Sequence, residues 1–236
     1  MLDAPAAGAI ANLDLPKLIL AIGSLGTAAY GIVDASKGFG GGISNRGFGD
    51  INKVIASLIP AHSDGQRDAS ALGLVSVLNT LRANWLNGMA SADQKSIAKV
   101  LIKLNLTPAS AGGMASTTGV DAALLTSVAK KLSTGEALTQ PETDVYGRFD
   151  LLLTALLDQG YQRGDQRYRN SAKLLAVPVS VTLALLGAVA LNGTWAWSEA
   201  WKAMIGGLLA TPLAPVAKDL SSAIQAGAKL AQAWKK

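Results

Sequence analysis

Lys173-Leu-Leu-Ala-Val-Pro-Val-Ser-Val-Thr-Leu-Ala-Leu-Leu-Gly-Ala-Val-Ala-Leu191 is the stretch whose reading decides the fold. From Leu174 to Leu191 it carries no charge. As a helix it covers roughly 27 Å, close to the hydrocarbon thickness of a bilayer. Arg163, Arg167, Arg169 and Lys173 lead into it, and Trp195, Trp197 and Trp201 follow it. Basic side chains suit the head groups at one end. Indoles, with an apolar body and an N–H that needs a partner, suit the interface at the other.

Composition agrees with a membrane protein. Of 236 residues half are apolar and only 16% are charged, too few for an ordinary soluble surface. The net charge of +5 sits beside the apolar segments, and the aromatic content of 5% offers few stacking platforms, so no nucleic acid is expected. The chain has no cysteine, which excludes disulfides, thiolate metal sites and cysteine nucleophiles. Residues 1–14 read as an Ala-rich tail carrying Asp3 and Asp14 and no base, so the apolar segment after it is expected to be an uncleaved span.

That first span is placed at residues 15–36, with Pro16 in its first turn and Lys17 able to snorkel. Its charge-free core, Leu18 to Val33, reaches about 24 Å, which puts Lys17 and Asp34 at the two interfaces. Gly23, Thr27 and Gly31 recur at every fourth residue and would let another helix approach closely. Residues 37–60 read as a glycine-rich elbow followed by an amphipathic helix opened by Asp50 and ended by Pro60. Phe39, Phe48, Lys37 and Arg46 are expected near lipid. The order G-x-x-x-x-G-K-[ST] is missing, so the elbow is not a nucleotide loop.

Residues 61–140 turn polar and read as a small cytoplasmic domain of three helices. Their apolar stripes are Leu72, Val75, Leu78, Leu81, Trp85 and Leu86; Ile97, Val100, Leu101 and Leu104; and Leu124, Leu125, Val128 and Leu132. Ser91 and Gln94 have the spacing of a capping box. An amphipathic approach helix, residues 141–173, carries Phe149, Leu153, Leu157 and Tyr161 toward the second span at 174–191. On that span Ala176, Ser180, Ala184 and Ala188 repeat at every fourth residue, a second helix-packing face. A Trp-rich outer turn fills residues 192–202. Residues 203–217, with Pro212 and Pro215, either span with a kink or re-enter. Residues 218–236 form a basic amphipathic tail with Trp234 at its apolar side.

Chemistry is sparse. His62, the only histidine, cannot furnish a zinc cluster, and a Ser63, His62, Asp64 triad fails because adjacent residues do not converge. Asp150 and Asp158 are the only carboxylates with a catalytic look, and the arginines interleaved with them, Arg148, Arg163, Arg167 and Arg169, should keep both ionised. Asp165 and Arg169 have the spacing of a helical ion pair. No ionisable residue sits at mid-depth of a span, which argues against an ion-coupled transporter.

Arg148-Phe149-Asp150 with Asp158, the arginine-rich approach, Ala190-Leu191-Asn192 at the end of the span, and a first span followed by a basic Gly-rich elbow resemble a loose group of uncharacterised bacterial inner-membrane proteins. That group has a large cytoplasmic loop between its first two spans. The resemblance implies a bacterial origin and that topology, and it brings no activity.

The expectation is therefore an all-α polytopic protein of the bacterial cytoplasmic membrane with about three spans and a small cytoplasmic helical domain. Basic flanks put the N-terminus outside and the central domain and C-terminus in the cytoplasm. A non-enzymatic scaffold or accessory subunit fits best, packing with copies of itself or with partner membrane proteins, without cofactor, metal, nucleic acid or an evident small-molecule substrate. The alternative is an oligomeric channel.

Overall fold

The computed structural model describes residues 14–59 and 72–233, the last seven through their backbone alone. Most of the expected N-terminal tail, the turn holding His62, and Trp234 lie outside the described residues. Among the described residues the protein is all-helical, with no strand. Its helices are α1 (Leu15–Ala35), α2 (Ser44–Leu58), α3 (Leu74–Leu86), α4 (Ser91–Leu104), α5 (Ala111–Thr118), α6 (Ala122–Thr134), α7 (Gln140–Asn192) and α8 (Trp197–Ala233). Two compact units result, one from Met1–Ile43 with Asn170–Lys236 and one from Ser44–Arg169.

The Ser44–Arg169 unit has the larger core. The expected three helices contribute to it, and α2 and the first part of α7 do so equally: Phe48, Ile51, Ile55 and Leu58 meet Phe149, Leu153, Leu157 and Tyr161 in one apolar cluster. The amphipathic helix and the approach helix are thus walls of the domain. This answers a physical difficulty, since three short helices alone bury too little apolar surface to be stable. Backbones come close where α2 crosses α7. A Cβ on Gly47 would lie 2.6 Å from the Gly164 carbonyl oxygen, and one on Gly164 would lie 2.8 Å from that of Gly47. Trp85 seals the edge of this crossing, its indole donating to the Ser44 carbonyl at 3.1 Å.

Several local expectations are corrected. Helix α2 begins at Ser44, inside the expected elbow, and Asp50 lies mid-helix; Gly40, Gly41 and Gly42 all have positive φ and make the turn that precedes it. The capping box at Ser91 does not form. Ala90 caps α4 without a side-chain bond, and Gln94 is buried with its amide donating to the Met89 carbonyl at 2.6 Å. On α3 and α4 the stripe is partly rotated from the expected one. Leu81 is buried as expected, and Leu78, Trp85, Ile97 and Leu101 pack against the core, but Val77, Ala98 and Ile102 are also buried and Leu72, Val75, Val100 and Leu104 are exposed.

Helix α7 starts at a box that does form. Thr139 donates both its backbone N–H, at 2.7 Å, and its hydroxyl, at 2.8 Å, to Glu142. Ser127 and Lys131 of α6 reach the same carboxylate, each at 2.7 Å, so the box also ties α6 to α7. The Lys131 bond first, then those from Ser127 and Thr139, hold the Glu142 carboxyl down at about 2. A depressed carboxyl stabilises the fold above its unfolded value, about 4.5, and the contribution disappears as pH falls through about 2. The Glu142 carboxyl carbon should therefore still resonate as ionised at pH 3.5, and Glu142→Gln should remove that part of the acid limb of a stability-versus-pH curve. An ordinary Glu142 titration near pH 4.5 overturns this reading.

In the other unit, two described helical segments are long and apolar enough to cross a membrane: Leu15–Gly38, and the apolar end of Gln140–Asn192. Residues 203–217 do not form a separate segment. They lie within α8, which runs unbroken with Pro212 and Pro215 inside it, so no re-entrant turn occurs there.

Candidate functional site: the small-residue seam and the charged faces

Gly23, Gly26, Ala29 and Val33 form the buried face of α1. They meet Ala210, Ala214 and Ala217, which are buried on α8. The fit leaves no room for a side chain. A Cβ at Gly26 would run into the Ala210 carbonyl oxygen, and one at Gly23 would strike the Ala217 Cβ and stand 2.9 Å from the Leu213 oxygen. A second side of α8 faces α7, where a Cβ at Gly207 would lie 2.5 Å from the Val181 Cα. Ser180 completes that contact. Its hydroxyl lies 2.7 Å from the Gly207 carbonyl oxygen and 2.8 Å from that of Val177, with Thr211 Oγ1 at 3.5 Å. The Ser180–Gly207 bond is buried and joins the two helices.

The expected packing residues divide. Gly23, Ala176 and Ser180 lie in the seam, and Ala184 and Ala188 are half-buried. Thr27 is exposed and donates to the Gly23 carbonyl at 3.0 Å, and Gly31 has open space around it. The close contact on α1 runs through Gly23 and Gly26, three residues apart, and then Ala29 and Val33. Gly26, Gly207, Ala210 and Ala214 were not singled out from sequence, although the four-residue step from Ala210 to Ala214 was there to be found.

Beside the seam, α1 and α8 leave an open groove of about 910 Å³, lined by Leu20, Ser24 and Thr27 on one wall and Lys218, Ser221 and Gln225 on the other. At the opposite end of α8, Trp195, Trp197 and Trp201 are all exposed, with the rings of Trp195 and Trp197 edge to face at 5.7 Å.

In the Ser44–Arg169 unit, Asp150 and Asp158 are taken up by lysines of α4 where arginines were expected. Lys95 lies 2.5 Å from Asp158, and Lys99, at 2.5 Å, and Lys103 both hold Asp150. These lysines repeat every four residues and so share one helix face. Burial opposes ionisation of Asp150, but the bonds from Lys103 and Lys99 outweigh it and its pKa lies below the ordinary carboxylate value. Both carboxylates are salt-bridge partners of lysines.

The row expected at the membrane interface also divides. Arg163 and Arg167 are exposed beside α2, and Arg167 Nε lies 3.1 Å from Asp50 Oδ2. Arg169 makes the four-residue pair with Asp165 at 2.8 Å. At 3.6 residues per turn Arg169 points about 160° away from Arg167, and Lys173 about 120° away.

Comparison with models of known protein families, with characterised proteins and with solved structures finds no match.

Proposed function

We propose that this protein is a non-enzymatic scaffold or accessory subunit embedded in the bacterial cytoplasmic membrane. One observation carries the reading. The small side chains of α1, α7 and α8 are turned onto one another, while Leu174, Leu186, Leu191, Ile205, Leu208 and Leu209 are left exposed. That arrangement suits lipid, where large apolar groups face the acyl chains and helices associate through small ones. Thr27, Gly31, Ala184 and Ala188 then supply small faces for a second copy or a partner membrane protein. The lysine partners of Asp150 and Asp158 support a role without catalysis.

In the proposed orientation the N-terminus is outside, α8 makes the third crossing, and the Ser44–Arg169 unit and the C-terminus are cytoplasmic, because the basic residues flank those ends. The chain has no cysteine and Ala109 and Gln225 are exposed, so single cysteines at positions 109 and 225 report the topology cleanly. Both should be protected from an impermeant maleimide in intact cells, and outside labelling of either overturns the orientation. The scaffold role predicts that the full chain, extracted in mild detergent, migrates as an oligomer or with a companion membrane protein. A lone monomer without companions counts against it.

A second reading, an oligomeric channel, is favoured by the polar side chains of Ser24, Thr27, Ser221 and Gln225 in the otherwise apolar groove beside the seam. Reconstituted protein that passes neither ions nor small solutes rejects it.

A further inference from the structure

We infer that the outer face of the α2–α7 pair binds the phosphate-bearing head groups of anionic lipids, an inference that rests on the membrane-embedded reading above. Four cations meet there from two helices far apart in sequence. On α2, Arg46 stands one turn before Asp50 and Lys53 about one turn after it. On α7, Arg163 stands one turn before Arg167. The two rows are brought side by side by the close crossing at Gly47 and Gly164, continued where a Cβ on Gly160 would lie 3.0 Å from Val54. The pair between Arg167 and Asp50, at 3.1 Å, then fixes one row against the other.

Asp50, whose side chain is only 14% accessible, is the one carboxylate among these five residues. The face therefore keeps a formal charge of +3, from four cations and one anion, around a nearly covered acid. Arg46, Lys53 and Arg163 are exposed and have no ion-pair partner among the described residues. Their heads are available. Arg167 donates Nε to Asp50 and is itself half-exposed, which leaves the rest of its guanidinium to a second anion.

Two things point to a lipid surface as the occupant. Cations fixed in this way attract anionic head groups within a Debye length. Arg167 also precedes Leu174, the first residue of the uncharged run, by only seven positions in the sequence. Arg169 and Lys173, though nearer to the run, point elsewhere around the helix and are not part of the face.

The test uses the full chain, purified and exchanged into nanodiscs of equimolar phosphatidylglycerol and phosphatidylcholine, with the lipid retained on detergent release quantified by mass spectrometry. Wild type should retain phosphatidylglycerol preferentially. Each of Arg46→Gln, Lys53→Gln and Arg163→Gln should lower that preference roughly fivefold or less, and the triple variant should abolish it. All three are exposed, so the fold should survive, and a circular-dichroism melt checks that it does. The double variant Arg169→Gln, Lys173→Gln should keep the wild-type preference. Undiminished preference in the triple variant, or equal loss in the double variant, overturns the inference. So does tighter binding of the face to single-stranded RNA than to the lipid, which would assign it to nucleic acid. Failure of the membrane reading shows separately, as release of the chain from membranes by alkaline carbonate.

Discussion

Truncating Phe149 to alanine should cost the Ser44–Arg169 unit about 3–5 kcal/mol, the range for removing a fully buried aromatic ring. Phe149 is 0% exposed and stands in the same cluster as Ile55, Leu81, Ile102 and Leu125, residues that come from α2, α3, α4 and α6. Removing its ring opens a void lined by side chains of several helices, and a site shared so widely cannot collapse by moving one of them. A unit of this size has little stability to spare, so the variant should be largely unfolded at physiological temperature. Urea denaturation of both forms in a background where the other four tryptophans are replaced by phenylalanine, followed by the fluorescence of Trp85, the tryptophan within this core, checks it. If Phe149→Ala shifts the midpoint by no more than an exposed-site control such as Leu151→Ala, then α7 is not part of the core. Leu151 is 72% exposed and one turn face away, which makes the pair a direct comparison.

The second large effect is a change of sign between two glycines of one helix. Gly26→Ala should destabilise the packing of α1 on α8 by about 1–3 kcal/mol, because the new methyl group must displace a backbone carbonyl. That displacement cannot be absorbed by a rotamer change, since the obstacle is the Ala210 main chain. Gly31→Ala meets nothing within 4 Å and should stabilise the helix by about 0.5–1 kcal/mol through lost backbone freedom in the unfolded chain. Resistance to unfolding in mixed micelles with increasing SDS measures both. Equal effects at the two positions would falsify the seam.

The sequence made the long features legible and the close ones less so. The uncharged run at Leu174–Leu191 stands out because a bilayer tolerates no charge along its length. The core of the Ser44–Arg169 unit is harder to read. Val75, Val100 and Leu104 are large, apolar and at helical spacing, yet they are exposed, while Ala98, Ala111, Ala115 and Ala129 are buried. In short helices that pack closely, the inner positions are set by how near the backbones come, and small residues fill them. A stripe drawn from the largest side chains then lands a turn face away. Gln94 was read as part of a cap because of its spacing from Ser91; the helix starts at Ser91 itself, and the amide reaches the Met89 carbonyl. Thr139 and Glu142 carry the same signature, and there the helix starts at Gln140, so the spacing does give a box.

For the candidate site, the step of four through Ala176 and Ser180 was readable and the partner side was not. Gly23 belonged to a pattern of four, Gly23, Thr27 and Gly31, that competes with a pattern of three and four, Gly23, Gly26, Ala29 or Val33. Both are apolar and small, and only the opposing helix decides between them. The lysines of α4 could not be paired with Asp150 and Asp158 from sequence at all, since that meeting depends on which face of α4 turns toward α7.

Helix α8 holds its place through its neighbours. Under the proposed arrangement its stretch from Ala203 to Ala217 is short for a bilayer and interrupted by two prolines, whose missing amides leave the carbonyls of Leu208 and Thr211 without their usual partners. Such a segment gains little by entering lipid alone, and it becomes favourable once Gly23 and Gly26 on one side and Ser180 on the other are there to receive it. Biogenesis then has an order. On that arrangement the segments Leu15–Gly38 and Leu174–Leu191, the two long and apolar enough to cross alone, would insert first and α8 would follow by docking onto them, so that a chain in which docking fails would present membrane quality control with a half-inserted helix.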